Sequence, residues 1–391
     1  MTIVMIGQKG LPARSGGIER HVETLAQGLV SRGHRVVVFG RAWYVGGSRA
    51  PHNIEQVITT GIRTKHLDAI THGVTALWKA RSLKPEIVHL HGTGIALLTP
   101  FARMIMPKAK VIVTFHCIDR VLAKWGGFAK FAFRVGEWLA CQASHRTIAV
   151  SETLARYCLE TYGTQTVYVS HPIPEPEPIC DTGALEANGL QSDRYFLFVG
   201  RLIPDKQAHV LIDAYGLARK ARPDLFTDRP LVLVGGASWT DRYATWLCGL
   251  AARTKGVLML GEKTGRELAA LQAQALAHVF PTASEGLSLA VVEACQYRRA
   301  IIATDIPGNC EATGGHMKAV PSRDVNALAD ALIELASQSK TQRLEMGSRA
   351  HAYVARIHHV DDRLDDMIRV YQMTLNGHTE LVSRPVLAAT I

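Results

Sequence analysis

Eleven short runs of β-forming, almost wholly apolar residues recur along this chain, with helical patterns between them. Six lie between IVMIG (3–7) and TVYVS (166–170), and five lie between YFLFVG (195–200) and AIIATD (300–305). Runs that are apolar throughout, without alternation, are typical of strands buried on both faces, as in parallel sheets covered by helices. The sequence therefore predicts an α/β protein with two parallel-sheet units.

The segment between the two sets, HPIPEPEPICDTG (171–183), contains four prolines in seven residues and predicts a stiff, extended connector. We therefore expect an N-terminal domain at 1–172, a linker at 173–190 and a C-terminal domain at 191–355. At 391 residues and 47% hydrophobic, the chain is long enough for two cores. A final amphipathic helix within 356–375 carries Leu364, Met367, Ile368 and Tyr371 on one stripe. The sequence leaves open whether this helix packs on its own domain or on the first.

Charge is distributed unevenly along the chain. The net charge is +10, from 44 Lys and Arg and 34 Asp and Glu. Residues 1–170 contain 21 basic and 9 acidic side chains, a net +12, and the remainder contains 23 and 25, a net −2. The N-terminal half is therefore expected to face something anionic: a membrane surface, a phosphorylated substrate or nucleic acid.

Cysteine usage and the N-terminus indicate the compartment. Seven cysteines without a C-x-x-C pair argue against a disulfide framework or a cysteine metal site. The opening MTIVMIGQKG lacks the basic region and cleavage site of a signal peptide, and no run reaches the ~18 apolar residues of a spanning helix. We expect a cytoplasmic protein, with the inner face of the cytoplasmic membrane as a peripheral binding surface.

The first candidate site is the glycine-rich loop GQKGLPARSGG (7–17), which leaves the first strand and enters a helix. Gly16 and Gly17 at a helix start let amides approach an anion, which the helix dipole favours. An ordinary strand-to-helix turn is the equal alternative. The spacing is neither G-x-G-x-x-G nor a P-loop, which argues against a nicotinamide dehydrogenase.

His116 ends the buried strand VIVTFH (111–116), and Asp119 follows it. In open α/β sheets, ligands bind beyond the carboxyl ends of the strands, so His116 is a candidate catalytic residue. The alternative is a loop histidine that bonds nearby backbone.

The second unit opens with FVGRLIPDK (198–206), which places Arg201 and Lys206 after Gly200 at a strand end. A guanidinium fork and a mobile ammonium suit phosphate oxygens. Alone, two cations near a loop are also common on protein surfaces.

Further along, PTASEGLSLAVVEACQYRRAIIATD (281–305) predicts a strand, a loop, a helix and a strand. Glu285 lies in the loop and Glu293 on the helix, where carboxylates suit sugar and ribose hydroxyls. Gly286 permits close backbone approach, and the amides of Leu287, Ser288 and Leu289 are expected to be free at the helix start. The alternative is a capped amphipathic helix whose acids favour the dipole.

These four segments, in this order, resemble the retaining glycosyltransferases of family 4, over nearly the whole chain from Ile3 to about Tyr371. The Glu285–Glu293 spacing resembles the E-x7-E motif of that family, and GRLIPDK and SGGIERH add support. The resemblance implies the GT-B fold, in which two Rossmann-like domains face each other across a cleft. TFHCID followed by AKWGGFAKFAFRVGEW (123–138) resembles a bacterial branch that assembles exopolysaccharide or lipopolysaccharide.

The resemblance also implies residue roles. The Gly17 amide would contact the donor diphosphate, Arg201 and Lys206 would neutralise it, and Glu293 would hold the ribose. Glu285 would hold the transferred sugar, and His116 would lie near the anomeric carbon. The implied catalytic residues are His116, Glu285, Arg201 and Lys206. The implied donor-binding residues are Gly16, Gly17, Gly200, Arg201, Lys206, Glu285, Gly286, Leu287, Ser288 and Glu293.

The mechanism that follows is front-face displacement with retention, in which the departing phosphate oxygen takes the acceptor proton. Enzymatic double displacement is the alternative, although no carboxylate is an evident nucleophile. No cofactor or metal is expected, because cations and helix termini stabilise the leaving group and there is no D-x-D motif. Many relatives have G-F or G-x-P after the first glutamate, whereas this chain has Gly286, Leu287 and Ser288, which bears on the donor sugar. The alternatives are a GT-B nucleotide-sugar epimerase and a catalytically silent sugar-nucleotide-binding subunit.

The expected partners are a nucleotide sugar and a lipid-linked or oligosaccharide acceptor. The segment 122–138 adds a candidate membrane surface, because Lys124, Lys130 and Arg134 alternate with Trp125, Phe128, Phe131 and Phe133. A helix with core aromatics and solvated cations is the equal alternative, since Gly126-Gly127 weakens a continuous helix. Nucleic acid is not expected, because the aromatics lack an RNP-like pattern.

Overall fold

The computed structural model describes residues 1–14, 16–51, 53–64, 67–122, 125–176, 183–237 and 241–378. The chain divides into two compact units: unit 1 is Met1–Pro172 with His358–Ile391, and unit 2 is Ile173–Ile357. Each unit has its own parallel sheet covered by helices, so the predicted α/β class with two Rossmann-like domains is confirmed.

Unit 1 contains a seven-stranded, wholly parallel sheet with strand order β3-β2-β1-β4-β5-β6-β7. The strands are β1 Thr2–Ile6, β2 Arg35–Arg41, β3 Glu55–Thr59, β4 Ile87–His91, β5 Lys110–Phe115, β6 Arg146–Ala149 and β7 Val167–Tyr168. The helices that precede the second unit are α1 Gly17–Ser31, α2 Ala42–Val45, α3 Asp68–Ala80, α4 Thr99–Ile105, α5 Gly127–Gln142 and α6 Glu152–Tyr162.

Unit 2 repeats the plan with six parallel strands in the order β10-β9-β8-β11-β12-β13. The strands are β8 Phe196–Val199, β9 Leu231–Val234, β10 Val257–Met259, β11 Ala277–Phe280, β12 Ala300–Thr304 and β13 Lys318–Val320. The helices are α7 Gly183–Glu186, α8 Ala208–Ala221, α9 Pro223–Phe226, α10 Asp241–Arg253, α11 Gly265–Gln274, α12 Leu289–Cys295, α13 Pro307–Thr313, α14 Val325–Ser337 and α15 Lys340–Ile357.

The predicted linker at 173–190 is too long. Residues 177–182 lie outside the described part of the chain, but α7 follows immediately. Leu185 and Leu190 are 2% and 6% exposed and pack in an apolar cluster with Tyr195 of unit 2. Burial of these leucines makes 183–190 part of the second core, not a connector. The far boundary also shifts slightly, because α15 continues to Ile357 instead of ending at 355.

The last helix, α16 (Val360–Leu375), belongs to unit 1. Its Leu364, Met367 and Tyr371 are buried in the apolar cluster that contains β1 and α1. Arg32, the C-cap residue that follows α1, pairs with Asp361 at 2.8 Å and with Asp365 at 3.2 Å. Of the two positions that the sequence left open, the structure shows packing on the first domain.

The change in chain path also redistributes the charge. Counted by folding unit, unit 1 contains 24 basic and 14 acidic side chains, a net +10, and unit 2 contains 20 of each, a net charge of zero. The whole excess of positive charge therefore lies on unit 1, even after the acidic α16 is added to it.

Both sheets place candidate residues at a topological switch point. β1 lies between β2 and β4 in unit 1, and β8 lies between β9 and β11 in unit 2. In each sheet, the chain leaves the two neighbouring strands at this point (β1 and β4, or β8 and β11) toward opposite sides of the sheet. This opens a crevice at the carboxyl ends of the two strands, where ligands of open α/β sheets bind. In unit 2 the candidates follow β8 and β11. In unit 1 they follow β1 and β5.

Two further observations concern membrane-spanning helices and cysteines. No helix among the described residues is both long and apolar enough to cross a membrane. The six cysteines in the described ranges are free thiols, and Cys180 lies outside those ranges.

Candidate functional site

In unit 2, two loops at the switch point bring a cation and a carboxylate into contact. Lys206 lies in the single helical turn Pro204–Lys206, and its ammonium forms an ion pair with the carboxylate of Glu285, 79 positions away. The backbone joins the same loops, because the Asp205 carbonyl accepts from the amide of Ala283 at 2.8 Å and from Thr282 Oγ1 at 3.1 Å. The loop–loop hydrogen bonds hold Lys206 and Glu285 side by side.

Arg201 follows β8 in the same crevice. Its side chain is partly buried, and its guanidinium has no hydrogen bond or ion pair with any described residue. A guanidinium that has no anionic partner among the described residues can donate a bidentate pair of hydrogen bonds to a phosphate or carboxylate. Arg201 is therefore a candidate anion-binding residue of unit 2.

The Glu285 loop is anchored to neighbouring elements by polar residues that the sequence analysis did not select. Thr304 Oγ1 donates to the Thr282 carbonyl at 2.6 Å, and Asn309 Nδ2 donates to the Thr304 carbonyl at 3.0 Å. Gly308 packs so closely that a Cβ there would lie 2.7 Å from the Glu285 carbonyl oxygen. The network ties β11, β12 and α13 together and fixes the loop.

Gly286, Leu287 and Ser288 are buried and lead into α12, whose fifth residue is the half-buried Glu293. The Ser288 amide donates to the Gly308 carbonyl at 3.4 Å. The prediction that this amide is free is therefore wrong, because α13 packs its first turn against the start of α12. Glu293 lies on the predicted helix.

Gly200 has a structural reason in this fold. A Cβ on Gly235, whose φ is +151°, would collide with the Gly200 carbonyl, and the Phe198 ring lies 3.2 Å from the Cβ position of Gly200. The close approach of the β8 and β9 ends thus requires glycine at 235, whereas a side chain at position 200 would have to displace the Phe198 ring of β8. A donor contact at Gly200 stays a prediction.

In unit 1, the glycine loop leads into α1 as predicted. Gly17 is the first residue of the helix and Gly16 caps it with a φ of +105°, a conformation that favours glycine. A Cβ at Gly16 would collide with the carboxylate of Glu19, whose Oε1 accepts from the Lys9 amide at 3.1 Å. A buried acid thus lies at the positive end of the helix dipole.

His116 lies in a group of buried imidazoles, which we name the histidine cluster: His21 of α1, His91 of β4, His116 after β5 and His171 after β7. His91 Nδ1 lies 3.4 Å from His116 Nε2, and His21 Nδ1 lies 2.8 Å from His171 Nδ1. His116 thus has an imidazole as its partner. The alternative considered from the sequence was a loop histidine that bonds nearby backbone.

Burial sets the protonation of the histidine cluster. It lowers the pKa of all four imidazoles well below the ordinary value, and the charges of neighbouring histidines lower the pKa further. At neutral pH these rings are uncharged, and each has one nitrogen lone pair for a proton, a hydroxyl or a metal ion.

Comparisons with known proteins agree with this fold. The family profile described as Glycosyltransferase Family 4 matches residues 15–174, and the profile described as Glycosyl transferases group 1 matches residues 193–338. The phosphatidyl-myo-inositol mannosyltransferase of Mycobacterium tuberculosis is 26% identical over 338 residues, which cover 81% of this chain and 83% of the relative. The chain belongs to the GT-B glycosyltransferases of the family 4 type.

Solved structures support the GT-B fold of this glycosyltransferase. Sucrose-phosphate synthase of Thermosynechococcus elongatus superposes with a TM-score of 0.80 at 19% identity. The match covers 96% of this chain and 100% of the synthase chain. HepE of Anabaena, solved with UDP-glucose, gives a TM-score of 0.77 at 18% identity, over 95% of this chain and 99% of that chain.

The residues that the sequence assigned to the glycosyltransferase site lie in both units. Unit 2 brings Lys206 into contact with Glu285 and places Arg201 at the same switch point. Unit 1 surrounds His116 with His21, His91 and His171, which the sequence analysis missed. The histidines of the strand run IVHLHG and of SGGIERH were visible signals, but nothing local in the sequence shows that they meet.

The aromatic segment of the glycosyltransferase forms α5, and the two glycines that argued against a continuous helix lie at its start: Gly126 is the N-cap and Gly127 the first residue. Phe128, Phe131 and Trp138 are 87%, 65% and 52% exposed. Lys130 and Arg134 are exposed beside them, and Lys124 lies outside the described residues. We call these five exposed residues the α5 face.

Proposed function

We propose that this glycosyltransferase moves a sugar from a nucleotide-sugar donor to a lipid-linked or saccharide acceptor in bacterial polysaccharide assembly, with retention of anomeric configuration and without a metal. The observation that carries the proposal is that Arg201, partly buried and without a hydrogen bond or ion pair to any described residue, follows β8 at the unit 2 switch point, where Lys206 pairs with Glu285. The complex of Anabaena HepE with UDP-glucose supports the donor class.

In the proposed reaction the bond between the anomeric carbon and the donor phosphate oxygen breaks, and the acceptor hydroxyl bonds to the same face of that carbon. The leaving diphosphate oxygen takes the acceptor proton. Arg201 and Lys206 neutralise the charge that grows on the diphosphate, which is where preorganised cations contribute most. Glu293 binds the ribose hydroxyls, and Glu285 contacts the transferred sugar while it orients Lys206.

The donor test is a thermal-shift panel of UDP, GDP and ADP and their sugar conjugates on the full chain. A ligand that binds only the native state at 100 times its Kd adds about 2.7 kcal/mol to the unfolding free energy, which raises the melting temperature. Arg201→Ala and Glu293→Ala are expected to remove the shift, and Lys263→Ala, which breaks the surface pair with Glu267, is expected to retain it. No shift from any nucleotide in the wild-type protein would contradict the donor assignment.

The reaction type has its own readout. With the donor identified and a membrane lipid extract as acceptor, we expect transfer that depends on the extract, persists in EDTA and yields the donor's anomeric configuration by NMR. Product formed from the donor alone would indicate the epimerase alternative. Nucleotide binding without transfer to any acceptor would indicate the silent subunit.

A lipid-linked acceptor is supported by the α5 face and by the net charge of +10 on unit 1. Exposed aromatics beside cations are the composition of surfaces that bind anionic lipid headgroups. The relative from Mycobacterium tuberculosis is named for a lipid, phosphatidyl-myo-inositol.

Vesicle sedimentation tests this surface. We expect binding to vesicles that contain anionic lipid, weakened by salt and by Phe128→Ser with Phe131→Ser. Leu217→Ser is the matched control, since it removes an apolar side chain of 44% exposure from unit 2. Equal binding to zwitterionic and anionic vesicles would contradict the membrane assignment and leave the donor assignment standing.

A further inference from the structure

We propose that the histidine cluster of unit 1 binds a late first-row divalent metal ion, with zinc as the representative, through His21, His91 and His116. One ring nitrogen from each of the three residues lies within 4.8 Å of those of the other two. The three side chains are 2%, 2% and 7% exposed. They come from three separate elements, α1, β4 and the end of β5, so the sheet order of unit 1 creates the cluster.

The distances suit tetrahedral coordination. Zinc–imidazole bonds of about 2.0–2.1 Å place two ligating nitrogens about 3.3–3.4 Å apart. His91 Nδ1 and His116 Nε2 are 3.4 Å apart, so this pair already spans one edge of such a site. The ring nitrogen that His21 offers lies within 4.8 Å of the other two, so a side-chain movement of at most about an ångström and a half completes the site.

The hydrogen bonds leave one ring nitrogen of His21, Nε2, available for a metal ion. Its Nδ1 is engaged with His171 Nδ1 at 2.8 Å, and its buried Nε2 has no hydrogen-bond partner within the described ranges. Metal-ligating histidines usually have their second ring nitrogen bonded to an outer partner that orients the ring. His171 is in the position of that partner, and a distance of 2.8 Å is too short for both nitrogens of this pair to bind one ion.

The ligand atoms define the kind of ion. Nitrogen ligands favour zinc, copper, nickel or cobalt over magnesium or calcium. Burial also penalises an uncompensated dication, so the fourth position is expected to hold hydroxide or another anion, as in three-histidine sites with an open position.

The proposed ion takes no part in the transfer reaction, in which Arg201 and Lys206 neutralise the diphosphate. If His116 contacts the donor sugar, as the family resemblance implies, an ion on its Nε2 would compete with that contact. Zinc would then act as an inhibitor of the transferase and not as its cofactor. This consequence rests on the proposed function, but the binding site itself does not.

The test is calorimetric titration of untagged, full-length, chelator-treated protein with zinc chloride, and separately with magnesium chloride. We expect one equivalent of zinc and no binding of magnesium. His21→Gln and His91→Gln are each expected to weaken zinc binding at least tenfold, and His316→Gln, which removes an exposed histidine of unit 2, is expected to retain it. Equal affinity in His91→Gln and wild type, or no zinc binding by wild type, would overturn the proposal.

The visible spectrum of cobalt added to wild-type protein gives a second reading that needs no variant. A site with three imidazoles and one oxygen ligand produces the intense bands of tetrahedral cobalt. Weak octahedral bands would overturn the proposal, even if both glutamine variants failed to fold. The titrations contain neither donor nor acceptor, so their outcome is independent of the proposed function.

Discussion

The two units of this glycosyltransferase share one architecture but place opposite kinds of polar group at their switch points. Unit 1 holds four imidazoles that are 2–7% exposed and uncharged at neutral pH. Unit 2 holds Arg201, Lys206 and Glu285, all partly open to solvent. Depth of burial explains the difference, because full desolvation removes charge from histidine, whereas partial exposure and an ion pair preserve it. The crevice of one unit can thus present nitrogen lone pairs, and the corresponding crevice of the other unit can present charges.

The sharpest test of this contrast concerns catalysis. Lys206→Ala removes a cation from the proposed leaving-group site, and we expect kcat to fall by about 100-fold or more, as when one oxyanion donor is lost. His116→Ala in unit 1 is expected to lower kcat less, because a neutral imidazole stabilises little of the diphosphate charge. Steady-state transfer rates measure both, with Lys263→Ala as the control for loss of a lysine. A larger loss in His116→Ala than in Lys206→Ala would invert the comparison.

A second contrast sets a buried carboxylate of unit 1 against Glu285. Glu137 is 0% exposed, and its Oε2 accepts from Tyr157 and Tyr162 at 2.7 Å and from Arg120 at 3.1 Å. Glu137→Ala removes the carboxylate that pairs with Arg120 and accepts from both phenols, and leaves Arg120 only its hydrogen bond to the Tyr157 hydroxyl at 2.7 Å. We expect the change to cost about 3–5 kcal/mol of unfolding free energy.

Glu285→Ala breaks a pair at 17% and 19% side-chain exposure and is expected to cost about 1 kcal/mol at most. Urea unfolding gives both values, with the exposed Glu160→Ala as the neutral control. Similar losses for Glu137→Ala and Glu285→Ala would show that burial does not separate the two units.

The third test is acidification. Outside the histidine cluster, burial lowers the pKa of His72 and His358 in unit 1, and of His278 in unit 2, from 6.5 to about 4. The unfolded chain therefore takes up protons below pH 6.5 that the folded chain refuses until about pH 4, so stability is full above 6.5 and falls through that window.

Since unit 1 holds two of these three histidines, we expect its strands to lose more protection than those of unit 2. Hydrogen exchange of β4 and β5 amides against β8 and β11 amides, at pH 7 and pH 5 in chelator, measures this after correction for intrinsic rates. Equal loss in both sheets would contradict the expectation.

The smallest effects concern helix caps and should be alike in the two units. Ser151 Oγ accepts from the Leu154 amide at 3.2 Å at the start of α6, and Asp324 Oδ1 accepts from the Ala327 amide at 2.9 Å at the start of α14. Ser151→Ala and Asp324→Ala are each expected to cost about 1 kcal/mol in denaturant unfolding. A difference of severalfold would mean that one cap does more than satisfy an amide.

The strands that the sequence predicted and those that it missed differ in position within the sheet. All eleven apolar runs became strands, including the fully buried β4 and β12. β3 and β13 were missed, and both lie at sheet edges. Their sequences, EQVIT and KAV, are short and partly polar because an edge strand is covered on fewer sides. The apolar pattern thus identifies central strands better than edges.

Site prediction likewise succeeded for local features and failed for contacts between distant segments. Arg201, Lys206, Glu285 and His116 could be selected from the sequence because each follows an apolar run directly, and strand ends are where ligands bind. The tie from Thr304 and Asn309 to the Glu285 loop, the pairing of Lys206 with Glu285 and the occupied Ser288 amide depend on contacts between distant segments. No local pattern encodes those contacts.

The sequence by itself determined the α/β class, the two units, the family and the charged residues at the second switch point, because apolar runs and short motifs are local properties. Tertiary structure alone decided that α16 completes unit 1 and that His21, His91 and His171 surround His116. These histidines are up to 150 positions apart. Strand order and burial bring them together and set their protonation, and both are properties of the folded chain.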